Sequence, residues 1–419
     1  MIEKTVLSNG VRILTETLPE MHSVAIGIWI AAGSRHEQEH ENGLAHFIEH
    51  MLFKGTARYS AADIARMVDA VGGVFNAFTA KEYTCLYIKV LHQHSARAME
   101  VLCDIFFHSL FHEAEIEKER NVILQEISMV RDTPDDYIHD LLGHVYFGRH
   151  PLGRAILGNR KSVCAFSRQH IVDFYAREYL VPERIIIAAA GRIEHSRMLD
   201  WFGGRFEHLS GTAVPYRPAP PPRFKTVFYY RNLEQVHICF GIPGVSHQDP
   251  GRYAFAAANA ILGGSMSSRL FQEIRENRGL AYAVYSCIAS FHDAGVLCVY
   301  LGIPPAALPE ALPIVQRELS RMCDEQVSVE ELNTAKEQLK GNLLLGLEST
   351  DSRMSRLAKC ELYYGMHLSV QEIIASIDAL TAEDLQMLMR MLFDNGRYAC
   401  VVLGPVKKDD AAAHALLTQ

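Results

Sequence analysis

The sequence predicts an α+β protein of two duplicated α/β sandwich (roll) domains, each a mainly antiparallel sheet flanked by helices. Three observations lead there. The chain has 419 residues, long for one core and comfortable for two domains of about 200 residues each. The stretch from Gly211 to Phe224 holds Pro215, Pro218, Pro220, Pro221 and Pro222 and reads as a stiff, extended connector. It separates an N-terminal domain, 1–210, from a C-terminal domain, 225–419. Finally, the two sides echo each other. Segments 24–37 and 236–249 run from an apolar strand into a Gly-containing turn at an offset of 212, while 85–90 with 298–303 and 185–192 with 398–405 match at 213. Three ordered matches at nearly one offset mark a duplicated domain.

The elements follow in the same order on both sides. Met1 to Ser8 reads as a strand, Asn9-Gly10 as its turn, and the next residues as a second strand. After the strand near residue 24 come an apolar helix (43–54), a second helix (60–70) and two strands (74–90). Long helical stretches (94–147), a helix (167–179) and a closing strand (185–192) complete the half. Their counterparts are 252–262, 266–277, 281–302, 306–364, 380–392 and 398–405.

Composition excludes several classes. With 49% hydrophobic and 21% charged residues the chain is of ordinary globular type. Asp plus Glu is 49 against 41 Lys plus Arg, a net charge of −8, which argues against nucleic-acid binding and is compatible with cationic peptide substrates. The nine cysteines (85, 103, 164, 239, 287, 298, 323, 360, 400) are odd in number, without CxxC spacing, and read as reduced buried thiols. The N-terminus lacks a basic region followed by an apolar one, and no apolar run approaches the roughly 20 residues of a membrane span. The expectation is a cytoplasmic protein outside the membrane.

The segment Gly43-Leu-Ala-His46-Phe-Ile-Glu49-His50-Met-Leu-Phe-Lys54-Gly55 reads as a helix ending at Gly55. His46 and His50, four apart, project from one helical face and can bind one ion. Glu49 lies on the same side, able to reach the attacking water without being a ligand. H-x-x-E-H is the inverted form of the H-E-x-x-H zinc helix. A catalytic zinc site takes three protein ligands and leaves one position open. The segment from Glu117 to Glu126 offers the third: Glu119 and Glu126, seven apart, share a helical face that reads as polar-lined. Adding 212 to 46, 49 and 50 gives Ala258, Ile261 and Leu262, none able to bind zinc. One zinc per chain is expected.

His46-x-x-Glu49-His50 followed by Glu126, with Glu119 seven residues before it, resembles the insulinase/pitrilysin family of zinc metallopeptidases, especially members of this length similar to the mitochondrial processing peptidase. The similarity runs along almost the whole chain and includes Gly33-Ser-Arg-His-Glu37, Phe53-Lys-Gly-Thr56, Asn76-Ala-Phe-Thr79 and Pro151-Leu-Gly-Arg-Ala-Ile-Leu-Gly158. The resemblance implies that His46, His50 and Glu126 hold Zn(2+), that Glu49 is the general base, and that Glu119 orients His50 or the water. It further implies that Arg275 and Tyr282 contact the peptide and steady the tetrahedral intermediate. By the same resemblance, Asn76, Ala77 and Phe78 form an exposed edge strand to which extended peptide substrate adds.

The expected activity is that of a zinc-dependent endopeptidase acting on extended or presequence-like peptides. The resemblance implies a homodimer, with a heterodimer containing an inactive paralogue as the other arrangement. A non-catalytic partner subunit is the alternative function, and a metal hydrolase acting on something other than peptides a third. Gly263-Gly264-Ser-Met-Ser-Ser268 lacks a phosphate-loop lysine and reads as a turn between helices.

Overall fold

The structure is a computed structural model that describes residues 1–393 and 396–410. It divides into two compact units. Unit 1 comprises 1–129, 154–217 and 345–367; unit 2 comprises 130–153, 218–344 and 368 onward.

Unit 1 is built on a six-stranded sheet: β1 (Ile2–Val6), β2 (Arg12–Thr17), β3 (Ser23–Ile30), β4 (Val74–Thr79), β5 (Thr84–Leu91) and β6 (Ile185–Gly191), in the order β1-β2-β6-β3-β5-β4. Unit 2 has β7 (Thr226–Tyr230), β8 (Val236–Gly244), β9 (Ala283–Ser290), β10 (Gly295–Ile303) and β11 (Ala399–Gly404), in the order β7-β11-β8-β10-β9. The second sheet repeats β2-β6-β3-β5-β4 strand for strand. That includes its one parallel pair, β2 with β6 in unit 1 and β7 with β11 in unit 2. Mixed α/β architecture with two helix-flanked, mainly antiparallel sheets is therefore what the chain adopts.

Both faces of each sheet are covered, so central strands are apolar throughout rather than alternating. Along β3, Val24, Ile26, Ile28 and Ile30 enter the core shared with α1 (Leu44–Leu52), α2 (Ala61–Asp69), α3 (Ser95–His108) and α4 (Glu113–Asp132). Ala25 and Trp29 point the other way, onto Met354, Leu357 and Ala358 of the helix Thr350–Tyr364. Each such fully buried Leu or Met contributes about 1.5–3 kcal/mol. Gly27 makes that approach possible, since a Cβ there would lie 2.9 Å from Met354 Sδ.

Unit 2 uses the same device. Helix α5 (Pro134–Phe147) packs on β8 and β11 through Ile138, Leu141, Leu142 and Val145. Gly241 leaves room for Leu142, whose Cδ1 would be 3.0 Å from an added Cβ. Each unit thus takes one covering helix from the opposite half of the sequence. A border between the units falls at 217/218, within the proline-rich stretch, and a division there assigns neither exchanged helix. Among the described residues no helix is long and apolar enough to cross a membrane.

Candidate metal centre

Helix α1 starts where the backbone must turn sharply. Gly43 has φ 98° and a Cβ there would meet the Gly158 Cα and the Leu157 carbonyl, each at 2.8 Å. Only glycine fits. With no side chain at Gly43 to cap the helix, the buried Glu37 does so, accepting the N–H groups of Gly43 (2.9 Å) and Ala45 (2.8 Å) and the Asn42 amide (3.2 Å). Burial pushes Glu37 up to about 7, against the pull of these donors.

From that start, Leu44, Ala45, Phe47, Ile48, Met51 and Leu52 are buried, leaving His46, Glu49 and His50 on the one half-buried face. The helix ends at Leu52, three residues before Gly55. On α4 the expected polar face is instead an apolar stripe: Glu119 lies in line with Ile116, Ile123 and Ile127 and is buried with them. Glu126 is half-buried beside it.

These two helices bring His46, His50 and Glu126 together. Glu126 Oε2 lies 3.8 Å from His46 Nε2 and 3.5 Å from His50 Nε2, and the two rings are 4.6 Å apart between centroids. The N···O separations exceed the ordinary hydrogen-bond range. The 3.5 Å separation matches, and the 3.8 Å one slightly exceeds, the edge of a zinc tetrahedron, in which ligands at about 2.0–2.2 Å from the ion stand about 3.3–3.6 Å from each other. The donor set therefore fits a zinc ion with a fourth position open.

The surroundings suit that use. His50 Nδ1 is 2.9 Å from the buried Glu119 Oε2, while Lys54 Nζ holds the other Glu119 oxygen at 2.5 Å. A carboxylate accepting from Nδ1–H leaves the Nε2 lone pair facing Glu126. Burial, with His50 adding to it, lowers His46 to about 3, so its imidazole is neutral as a ligand must be. Glu49 is raised by burial, opposed by the Thr79 hydroxyl and N–H and by His50, while Glu126 adds to the rise.

Strand β4 is the free edge of its sheet. Ala80 N–H bonds Tyr83 O at the hairpin, so with the pairing Phe78↔Cys85 and Asn76↔Tyr87 the N–H and C=O groups of Phe75, Ala77 and Thr79 point away from β5. Asn76 is exposed, and its Oδ1 accepts the Ala77 N–H at 2.9 Å. Ala77 buries its methyl in the core and Phe78 packs edge-on to Trp29. The strand ends at Thr79, whose N–H reaches Glu49.

Arg275 and Tyr282 lie in unit 2. The Arg275 guanidinium sits between aromatic rings, 4.9 Å from the centre of Phe271 and 5.1 Å from that of Tyr282, which is 79% exposed. Arg278 is engaged internally by Glu273 at 2.6 Å. Reading the sequence for ligands passed over Glu37, Lys54 and Thr79 as parts of the site. The signals were present in the spacing, Lys54 being one turn beyond His50 and Glu37 six residues before the helix start.

Two duplicated sandwich units, one carrying an H-x-x-E-H helix, are the pattern of the M16 zinc metallopeptidases. Family models match residues 12–160 to the insulinase (peptidase family M16) domain and 165–339 to the peptidase M16 inactive domain. The chain belongs to the insulinase family, M16. It is 43% identical over 410 residues to the uncharacterised zinc protease YmxG of Bacillus subtilis, covering 97% of this chain and 98% of that one. An uncharacterised zinc protease of Streptomyces coelicolor is 40% identical over 420 residues, covering 98% and 91%. Among solved structures, a peptidase M16 inactive domain from Pseudomonas fluorescens matches with a TM-score of 0.89 at 21% identity, covering 97% of this chain and 98% of that one. A protease from Helicobacter pylori matches at 0.85, 21% identity, 97% and 99% coverage. At such identity these structures show the fold.

Proposed function

We propose that the chain is an active zinc-dependent endopeptidase that cuts extended peptides added to the free edge of β4, with Glu49 as general base. One observation carries the reading: the outward main-chain groups of Phe75 and Ala77 lead along the edge to Thr79, which holds Glu49, on the helix that presents His46 and His50. A peptide pairing with that edge by main-chain hydrogen bonds needs little side-chain specificity and brings its backbone to the carboxylate.

A zinc ion held by His46, His50 and Glu126, one catalytic ion per chain, would polarise the scissile carbonyl and acidify the attacking water. Glu49 takes the proton from that water and passes it to the leaving amine. Burial raises its basicity toward the value this exchange needs at neutral pH. Glu119 and Lys54 hold His50 in the ligating tautomer. Arg275 and Tyr282 contact the substrate and steady negative charge developing on the carbonyl oxygen. Presequence-like cationic segments are the proposed substrates, suited to the net charge of −8, and the proposed assembly is a homodimer.

The test is mass spectrometry of fragments from a peptide library, with wild type and Glu49→Gln compared at measured zinc content. Glu49→Gln should keep its zinc and lose cleavage by about 10²–10⁴-fold. Cleavage at the wild-type rate, or loss of the metal with the carboxylate, sinks the assignment of the base.

A further inference from the structure

A second cluster of metal-ligating side chains lies in unit 2. His139 of α5, Cys239 of β8 and Cys298 of β10 present Nδ1 and two Sγ atoms within 4.8 Å of one another. The sulfurs stand 3.8 Å (Cys239) and 3.6 Å (Cys298) from Nδ1 and 2.9 Å from each other. Both cysteines are buried. We propose that these three residues form a second metal site, for zinc or another thiophilic cation, that staples the exchanged helix α5 to the sheet of unit 2.

Three observations carry it. The N···S separations of 3.6 and 3.8 Å lie just above the value of about 3.5 Å expected for an imidazole and a thiolate at neighbouring corners of a zinc tetrahedron. His139 Nε2 is 2.8 Å from the Tyr285 hydroxyl, whose ring stacks on the imidazole. With that oxygen accepting the Nε2 proton, Nδ1 is left as the ligand, the outer hydrogen bond that ligating histidines regularly make. Cys287, directly opposite Cys298 in the β9/β10 register, puts a third thiol on the strand beside the group, in keeping with the Cys₃His composition of structural zinc sites.

A disulfide accounts for the cluster less well. Cys298 faces Gly241 and Cys239 faces Tyr300 across β8/β10, so the two cysteines are diagonal neighbours. Diagonal Cα atoms stand about 7–8 Å apart, beyond the 4.4–6.8 Å or so that disulfides usually span. A disulfide also leaves the convergence of His139 without a role. Cation binding exchanges one proton per thiol for a metal–sulfur bond and opens the two sulfurs to about 3.8 Å.

The site shares no residue with the centre in unit 1, and one spectroscopic signature separates them: only thiolate ligation gives a sulfur-to-cobalt charge-transfer band. The full-length chain is purified under reductant, stripped of metal and titrated with Co²⁺. The expected result is such a band saturating at one equivalent, lost in Cys239→Ser and Cys298→Ser and retained in a His46→Ala/His50→Ala chain. Zinc analysis should give two equivalents for wild type and one for that double variant. Absence of the band in the wild-type chain overturns the proposal, whether or not any variant folds. Persistence of the band in Cys239→Ser, or a Cys239–Cys298 disulfide in the reductant-purified chain by peptide mapping, also overturns it.

Discussion

Replacing Glu119 tests whether the proposed site depends on how His50 is held rather than on the three ligands alone. The carboxylate is buried among isoleucines and serves two donors, His50 Nδ1 at 2.9 Å and Lys54 Nζ at 2.5 Å. Glutamine is nearly isosteric but offers one acceptor oxygen and one NH₂. If the oxygen faces His50, the amide NH₂ points at the Lys54 ammonium. If it faces Lys54, the NH₂ donates to Nδ1 and drives the proton to Nε2, where a metal ligand must be bare. A charge-assisted hydrogen bond of this kind contributes about 1.5–3 kcal/mol, or about 10–100-fold in metal affinity, the usual effect of losing such an outer partner. Competition with a chromophoric chelator should therefore show zinc held about 10–100-fold less tightly in Glu119→Gln, with cleavage largely restored by excess zinc. Zinc affinity within twofold of wild type in both Glu119→Gln and Glu119→Ala refutes the reasoning.

Gly43→Ala forces a Cβ into the backbone of Leu157 and Gly158 at positive φ; urea unfolding should show a loss of about 1–3 kcal/mol, and wild-type stability would mean the α1 start is not strained. Ala77→Pro deletes an outward N–H of the edge strand, the one Asn76 Oδ1 accepts and a docked strand would take over, without touching the β4/β5 ladder. Peptide kcat/KM should fall at least about tenfold, one lost hydrogen bond being worth about 0.5–1.5 kcal/mol plus the misfit of the docked strand, at a Tm close to wild type; unchanged kcat/KM removes β4 as the docking edge. His46 is lowered to about 3 by burial and by His50, whereas the unfolded chain titrates near 6.5, so the unfolded state binds more protons between those values. The stability contribution is fully present above about pH 6.5 and is lost as pH falls toward 3; urea midpoints of the metal-free chain should fall more steeply in wild type than in His46→Gln, and parallel slopes contradict it.

Much of this was legible in the sequence because it rests on short-range periodicity. Apolar positions around His46, Glu49 and His50 fix which face of α1 is left for chemistry, and repeated strand patterns at one offset reveal that the sheet occurs twice. The exchanged helices were not legible. Residues 134–147 and 350–364 read as continuations of long helical runs, and nothing in a helical apolar stripe says which of two equally apolar sheet faces it covers. Gly27 and Gly241 mark the contacts, yet a glycine within a strand has several meanings. Glu119 deceived in the opposite sense: a carboxylate two turns from Glu126 suggested a wet face, whereas pairing with both His50 and Lys54 is what permits its burial among isoleucines. The thiol cluster escaped because its members come from α5, β8 and β10, separated in sequence and joined only by strand register and helix packing.

The duplication also separates what the proposed metal residues do from what the fold requires. In unit 2 the positions matching His46, Glu49 and His50 are Ala258, Ile261 and Leu262, buried at 1%, 5% and 0% exposure in that unit's core. The same strand order forms there without any polar group on the corresponding helix face. The sheet, its order and its covering helices therefore do not depend on an ion at that position. In unit 1 the three polar side chains instead occupy space that apolar residues fill in the twin; Glu119 and Thr79 supply partners to His50 and Glu49, while the buried His46 Nδ1 has no hydrogen-bond partner among the described residues. Such a trade of packing for chemistry is how functional sites are grafted onto a fold stable without them. Hydrogen bonds of the protein itself thus orient His50 and Glu49 in the proposed site.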